Sequence, residues 1–438
     1  MNILILGSGG REHALAWKIK QSPLCSRLFI APGNAGTSQC GENINIDVNN
    51  FTAIKDFCIK ENIELVVVGP EDPLVNGIYD FLLNKKASPS GEVWRGKEIW
   101  RGNVIGPSAA GAQLEGSKSF SKHFMQRHNI PTASYAEFNE LNYREGKQYI
   151  SQHTLPIVLK ADGLAAGKGV IICNTQDEAL AAFEEMIVNK QFGKASAKVV
   201  IEEFLQGIEV SVFVLTDGID YKIIGHAKDY KRIGEGDTGL NTGGMGCVSP
   251  VPFVDETFMA KVEERIIKPT IKGLQTEKLE YKGFVFIGLI NVKGEPYVIE
   301  YNCRLGDPET EVVLPRLKND IVEMFVALHK GELSKVKVEF DERAAATIVA
   351  VSGGYPGTYE KNKPIQFPPP SEGLGEAIFH AGTKQQGDTI VTNGGRVLAI
   401  TAYGENITSA VNKSKAILET ISFEGMYYRK DIGYEFKT

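Results

Sequence analysis

Residues 1–13 read Met1-Asn2-Ile3-Leu4-Ile5-Leu6-Gly7-Ser8-Gly9-Gly10-Arg11-Glu12-His13. The apolar run Ile3–Leu6 enters a glycine turn, and a helical stretch, Glu12–Lys20, follows until Ser22-Pro23 stops it. An apolar run without alternation marks a strand buried on both faces. The pattern then repeats. Arg27–Ala31 is a short strand ending at Pro32-Gly33-Asn34, and a helix carries Phe51, Ile54, Phe57 and Cys58 on one face. Leu65–Val68 is fully apolar and ends in Gly69-Pro70-Glu71-Asp72-Pro73-Leu74; a helix, Gly77–Leu83, and a strand at Val104-Ile105 follow. Strands alternating with helices predict a doubly wound parallel sheet, with ligands at the carboxyl ends of its strands.

The first glycine loop invites a dinucleotide fingerprint and fails it. Glu12 stands where G-x-G-x-x-G needs its last glycine, and the second strand ends Ile30-Ala31-Pro32-Gly33 without the ribose-binding acid. Free N–H groups at a helix N-terminus suit a phosphate or phosphosugar, and plain turn geometry is the other reading of the glycines.

Working outward, the chain has 438 residues, 48 Lys plus Arg against 54 Asp plus Glu, and 46 Gly. Its length predicts about two to four domains. The net charge of −6, with no basic tail, argues against nucleic-acid or anionic-membrane partners. No stretch reaches about 18 apolar residues, so no membrane span is expected. The N-terminus reads as a first strand rather than a signal peptide. Six scattered cysteines without zinc-type spacing suit a reducing cytosol. Residues 84–103 interrupt the pattern with Glu92-Val93-Trp94-Arg95-Gly96 and Glu98-Ile99-Trp100-Arg101-Gly102, a near-duplication carrying two exposed-looking tryptophans. It reads as a surface insertion or, less readily, a stacking site.

From about Gln113 to Leu328 the pattern changes to strand–turn–strand pairs: Pro156–Lys160, Gly169–Cys173, Val199–Ile201, Val210–Leu215, Tyr221–His226, Phe284–Asn291 and Tyr297–Tyr301, the last two joined at Lys293-Gly294. Such pairs with helices to one side predict α+β units. Beyond Gly331 lie more strands (Ala345–Val351, Arg396–Thr401), a helix near Ser409–Thr420, and the run Met426-Tyr427-Tyr428-Arg429-Lys430-Asp431-Ile432-Gly433.

Two further glycine clusters sit in the central region. Lys160-Ala161-Asp162-Gly163-Leu164-Ala165-Ala166-Gly167-Lys168-Gly169 is not a P-loop: only three residues separate its first two glycines, and Gly169 replaces the magnesium-binding Ser/Thr. Lys160, ending an apolar strand, suits a polyphosphate anchor or a snorkelling lysine; Lys168 suits the same ligand or solvent. Gly234–Gly246 holds six glycines in thirteen residues, which suits a backbone cradle or closing lid, or else a surface loop. Period-two alternation puts Glu300 and Asn302 on one strand face, an oxygen pair that suits Mg²⁺ or a solvated edge. Glu209 and Ser211 share a face while Ile208, Val210 and Val212 fill the other; Glu209 suits a ribose hydroxyl or water. Glu202-Glu203-Phe204-Leu205 reads as a hinge beside a strand. No Ser-His-Asp or Cys-His arrangement is present.

These motifs together resemble the phosphoribosylamine–glycine ligase (glycinamide ribonucleotide synthetase) family of ATP-grasp enzymes, over nearly the whole chain. The resemblance rests on Gly7–His13, Pro32–Gly36, Gly69–Leu74, Gln113–Lys118, the two later glycine loops and Asn302-Cys303-Arg304-Leu305-Gly306-Asp307-Pro308-Glu309-Thr310. It implies an α/β and α+β chain in three parts. These are an N-terminal doubly wound substrate-binding domain (1–112), an ATP-grasp module of two α+β subdomains (113–328, small lid subdomain about 132–203) and a C-terminal β-rich domain (329–438). It implies ligation of glycine to 5-phosphoribosylamine with ATP and Mg²⁺ or Mn²⁺, by a cytoplasmic monomer. By motif, Lys118 and Lys160 would contact ATP phosphates and Gly163, Gly167, Lys168 and Gly169 would cover them. Glu202, Glu203 and Leu205 would line the adenine, and Glu209 the ribose. Glu300 and Asn302 would ligate metal, Asp229 and Arg304 would orient substrates in catalysis, and Gly9, Gly10 and Asn34 would cradle the phosphoribosyl group. Two departures, Tyr230 where His is common and Leu240 where Pro is, fall in or beside the third glycine loop.

Overall fold

The computed structural model describes residues 1–84, 100–165, 169–368 and 377–436. Strands Asn2–Gly7, Arg27–Pro32, Glu42–Asn43, Leu65–Val68 and Asn103–Pro107 pair in parallel throughout, with the first strand between the second and the fourth. The continuous apolar runs have the expected cause. Leu4, Leu6, Val66 and Val68 face one core while Ile3, Ile5, Leu65 and Val67 face another. Helices cover both sides, so each strand residue is buried whichever way it points.

The sheet does not stop there. Tyr281 and Lys282 of the long strand Tyr281–Val292 pair antiparallel with Pro107 and Gly106. Strands Ile208–Thr216 and Tyr221–Asp229 extend that pairing, Gly246–Ser249 bridges onward, Ala344–Val351, Arg396–Gly404 and Ala377–His380 follow, and Glu295–Asn302, paired off the side of Tyr281–Val292, completes a 13-stranded sheet. The three sequence regions therefore share one backbone ladder. Lys293 and Gly294, with φ of 54° and 86°, make the expected tight turn.

Residues Tyr135–Glu203 form a separate four-stranded antiparallel sheet with its own core, including Phe138, Ile150, Leu159, Phe183 and Ile201. Helices Tyr143–Gln152 and Gln176–Ile187 supply that core's other side.

Two readings are corrected. Trp100 is not exposed: it is buried, and its indole N–H donates to the Ile63 carbonyl at 2.6 Å, the usual way a buried tryptophan satisfies its polar end. Trp94 and the rest of the duplication through Ile99 lie outside the described residues. Ile208 is exposed rather than filling an inner face, because its strand becomes buried only from Val210, after which every residue to Thr216 is covered on both sides.

Candidate active site

The strand Glu295–Asn302 ends beside the N-terminal region, where Arg304 meets Glu71, and Glu300 is the carboxylate on which four cations act. Burial pushes its carboxyl up, but Lys231, Lys118, Lys160 and Arg304 together hold it below its ordinary value. Three of those four cations were singled out from sequence. Glu300 lies opposite Gly288 on the neighbouring strand, whose missing side chain leaves room for it. Asn302, on the same face, accepts from Arg304 Nη2 through Oδ1 at 3.2 Å. Arg304 is further braced by Glu115 at 2.8 Å and Glu71 at 3.3 Å. Glu71 sits in the Gly69–Leu74 loop, so a motif of the N-terminal sheet orients an arginine of the central one.

Lys160 is anchored rather than snorkelling. It is buried, pairs with Glu202 Oε1 at 3.0 Å and donates to the Ile299 carbonyl at 3.2 Å. Lys122 takes the other Glu202 oxygen at 3.1 Å. Burial drives the Lys122 ammonium down to about 8, against the pull of Glu202. The Glu202 side chain is thus committed to positioning cations, and its backbone lies in the strand Lys198–Glu203, opposite Tyr135 on one neighbour and Val158 on the other. Glu203 accepts from the Ser134 N–H at 2.8 Å, and Leu205 follows the strand half-buried. Lys118 opens a helix whose start is held by Asp162 Oδ1, which accepts from Ser117 Oγ at 2.9 Å and Ser119 N–H at 2.7 Å. Gly163 packs so closely that a Cβ would lie 2.9 Å from the Ala195 Cβ. The Gly169 carbonyl accepts from the Ala161 N–H at 2.8 Å, closing the loop's root. Gly167 and Lys168 lie outside the described residues.

Glu209 and Asp229 come together through a residue the sequence reading left without a role. Lys231 pairs with Glu209 at 2.7 Å, and both side chains remain accessible. Burial works against the Lys231 charge, but Glu209, Asp229 and Glu300 outweigh it and hold the ammonium well above its ordinary value. Asp229 is raised by burial despite Lys231, and burial together with Asp229 pushes the Glu309 carboxyl up to about 8. The available signal was spacing: Asp229 and Lys231 are two residues apart at a strand's end and so can share a face.

Gly9, Gly10 and Asn34 form a second group, joined to the first by the segment 304–311. The helix N-terminus that suited an anion is partly filled by the protein itself. Gly9 N–H donates to Glu12 Oε2 at 2.6 Å, and Arg11 N–H to Asp307 Oδ2 at 3.4 Å. This explains the failed fingerprint: Glu12 occupies the space under Gly7 and Gly69, where a Cβ would overlap it. Gly10 is required because Glu311, fully buried, lies against it. Asn34 uses its amide to tie loops together, donating to Ser8 O at 2.9 Å and His380 O at 2.7 Å and accepting from Gly36 N–H at 2.8 Å.

Among the described residues no cluster of three or more His, Cys, Asp or Glu side chains could hold a metal by itself. Glu300 and Asn302 nonetheless fit a hard divalent cation: one carboxylate kept charged and one amide oxygen, a donor set that Mg²⁺ completes with waters and phosphates. Among the described residues no helix is long and apolar enough to cross a membrane, and all six cysteines are free.

The chain matches the N domain of phosphoribosylglycinamide synthetase over residues 1–115, its ATP-grasp (A) domain over 116–310 and its C domain over 345–435. It is 45% identical to the phosphoribosylamine–glycine ligase of Escherichia coli K12 over 438 residues, 99% of this chain and 98% of that protein. It is 46% identical to that of Chlorobaculum tepidum over 438 residues, 99% of each. The crystal structure of the Thermotoga maritima phosphoribosylamine–glycine ligase superposes with a TM-score of 0.81 at 34% identity, covering 98% of this chain and all of that one. The biotin carboxylase domain of the Hydrogenobacter thermophilus 2-oxoglutarate carboxylase superposes with a TM-score of 0.70 at 17% identity, over 97% of this chain and 91% of that one. That likeness is one of fold.

Proposed function

The chain belongs to the phosphoribosylglycinamide synthetase family, and from that premise we propose how its residues divide the work. Its reaction is the ATP-dependent ligation of glycine to 5-phosphoribosylamine in purine biosynthesis, as in its relatives.

The reaction passes through glycyl phosphate. A glycine carboxylate oxygen attacks the γ-phosphorus of ATP as the bond to ADP breaks. The amine of 5-phosphoribosylamine then attacks the acyl carbon, phosphate leaves with the bonding electrons, and the nitrogen loses a proton. No step needs a tuned histidine, since phosphoryl transfer rests on positioning and on neutralising charge. Lys118 and Lys160 neutralise the transferring phosphoryl group, with the loop Gly163, Gly167, Lys168 and Gly169 above it. Lys231 and Arg304 face the carboxylate being activated, and Asp229 holds its ammonium end. Backbone of Glu202, Glu203 and Leu205 lines the adenine, and Glu209 takes the ribose. Gly9, Gly10 and the loop shaped by Asn34 receive the phosphoribosyl group. Glu300 and Asn302 would hold Mg²⁺ or Mn²⁺, which supplies Lewis-acid polarisation of phosphate oxygens.

The observation that carries this reading is the set of four cations around Glu300. Three of them also meet carboxylates of their own, Lys160 with Glu202, Lys231 with Glu209 and Arg304 with Glu115 and Glu71, and those pairs hold them at fixed places around Glu300, where a metal-bound triphosphate needs them. The separate sheet and core within Tyr135–Glu203 support the lid assignment of about 132–203 between a substrate-binding unit (1–112) and a C-terminal unit (329–438). Six free cysteines support a reducing, cytoplasmic setting, and we take the enzyme as a monomer.

The test is ¹⁸O transfer. With carboxylate-labelled glycine, one label should appear in inorganic phosphate for each ADP formed. ADP release at the glycine-free level would remove the ligase reading of this site. Normal ADP release without label in phosphate would remove only the glycyl phosphate step.

A further inference from the structure

The run Met426–Gly433 takes no part in the site described above, yet it is bonded to the glycine-rich segment that carries Lys231. That segment is a short hairpin, Arg232–Gly234 paired with Thr238–Asn241. Its tip holds Gly236 and Asp237 at φ of 64° and 54°, and Gly239 on the return strand has φ of 78°. A two-stranded ribbon with so much glycine has little hold of its own. Its rigidity comes from outside.

Arg429 is 0% exposed and lies in irregular backbone two residues after Tyr427, which bridges to Val351. Its guanidinium grips Asp431 with both edges, Nε to Oδ1 at 2.8 Å and Nη2 to Oδ2 at 2.7 Å. Nη1 reaches Asp237 Oδ1 at 2.6 Å and the Arg232 carbonyl at 3.1 Å, one partner at the tip and one on the first strand. Asp431 Oδ2 accepts from the Gly236 N–H at 2.7 Å, Tyr434 donates to Asp237 at 3.0 Å, and Tyr427 donates to the Ile233 carbonyl at 3.0 Å. Just beyond the return strand, Arg396 donates to the Gly243 carbonyl at 2.7 Å, and the Gly243 N–H donates to Tyr355 at 3.0 Å. The hairpin root then locks the active-site lysine. The Lys231 carbonyl accepts from the N–H and the hydroxyl of Thr242, both at 2.8 Å, while Met245 N–H donates to the Tyr230 carbonyl at 2.7 Å. Tyr230, buried, hydrogen-bonds Glu435 at 2.7 Å, with Lys228 over its ring at 3.8 Å and Arg429 at 5.3 Å.

We propose that Arg429 is a positioning residue for the ligation: through Asp237 and the Arg232 carbonyl it clamps the glycine hairpin so that Lys231 is held among Glu209, Asp229 and Glu300. The C-terminal run is then part of the catalytic apparatus without touching substrate, and the hairpin is a fixed wall of the site, not a moving lid. This inference rests on the reading that Lys231 acts on the substrates.

The test uses the full-length enzyme and varies glycine, ATP and 5-phosphoribosylamine separately. Lys231→Met examines the underlying reading. Asp237→Asn, which weakens the ties to Arg429 and Tyr434, and Tyr434→Phe, which removes the second alone, are both at accessible positions and leave the Arg429–Asp431 pair intact, and Arg429→Lys keeps the charge but loses the fork. The expected result is a large loss of turnover in Lys231→Met. The three clamp variants should lose about threefold or more in kcat/KM, the scale of one charge-assisted hydrogen bond, at wild-type Tm for the first two. Wild-type turnover in Lys231→Met would overturn the reading and the clamp with it. An impaired Lys231→Met beside Asp237→Asn and Tyr434→Phe with wild-type kcat and KM for all three substrates would overturn the clamp alone, leaving Arg429 a structural residue.

Discussion

At the scale of single residues, the site is a balance between burial and neighbouring charge. Glu300 stays ionised because four cations outweigh its burial, while Glu309, facing Asp229 instead, is driven the other way. The first is thereby fit to meet a cation and the second to hold a proton. Two outcomes follow. Lys160→Ala should lower turnover at least tenfold, about 1.4 kcal/mol of barrier, and an unchanged rate would remove Lys160 from the phosphate site. Glu300→Gln should raise the Mg²⁺ concentration that gives half-maximal turnover; an unchanged metal requirement would move the metal elsewhere. Lys160 and Glu300 were readable as candidates because each breaks the pattern of an apolar strand. Lys231 was not, because an accessible lysine beside glycines looks like any solvated charge until Glu209, Asp229 and Glu300 surround it.

At the scale of elements, the glycines separate by what surrounds them. Gly236 has φ of 64° and open space where a side chain would go. Gly244 has φ of 120°, and a Cβ there would overlap Pro308. Gly236→Ala should therefore cost only the left-handed strain of about 1–2 kcal/mol, and Gly244→Ala distinctly more, since the motif Arg304–Glu309 must also shift. Urea denaturation of the two variants checks the order, and equal losses would mean that the Pro308 contact is relieved cheaply. Sequence composition marks both positions alike. Only the packing partner, 64 residues further along the chain for Gly244, tells them apart.

At the scale of the whole molecule, the N-terminal and C-terminal regions are joined at the first glycine loop. His13 Nδ1 accepts from the His380 N–H at 2.7 Å, and His380 stacks on Phe367 at 5.5 Å between centroids. Burial takes the His13 imidazole down to about 3, with His380 adding to the shift, and takes His380 down to about 4. Both lie below the unfolded value of about 6.5, so below pH 6.5 the unfolded chain binds more protons than the folded one. The stability they contribute is complete above about pH 6.5 and is lost as the pH falls towards 4. Protonating His13 Nδ1 also removes the acceptor that holds the His380 backbone. His13→Gln should flatten the fall in Tm between pH 6.5 and 4, and an unchanged slope would place the acid sensitivity in other groups.

The sequence by itself determined the strands of the N-terminal sheet with their two-sided burial, most of the long central strands, the Lys293-Gly294 turn and the motifs that mark the family, because each depends on neighbours within a few residues. It also brought Lys118, Lys160, Glu300, Asn302 and Arg304 forward as one functional set. Tertiary structure alone decided that the three regions share a single sheet, that Glu12 takes up part of the first glycine loop, that Trp100 is buried and that Arg429 holds the hairpin beside Lys231. Those depend on groups brought together across long stretches of chain, where local periodicity carries no record of the partner and only the packed fold supplies the charge or carbonyl that each one meets.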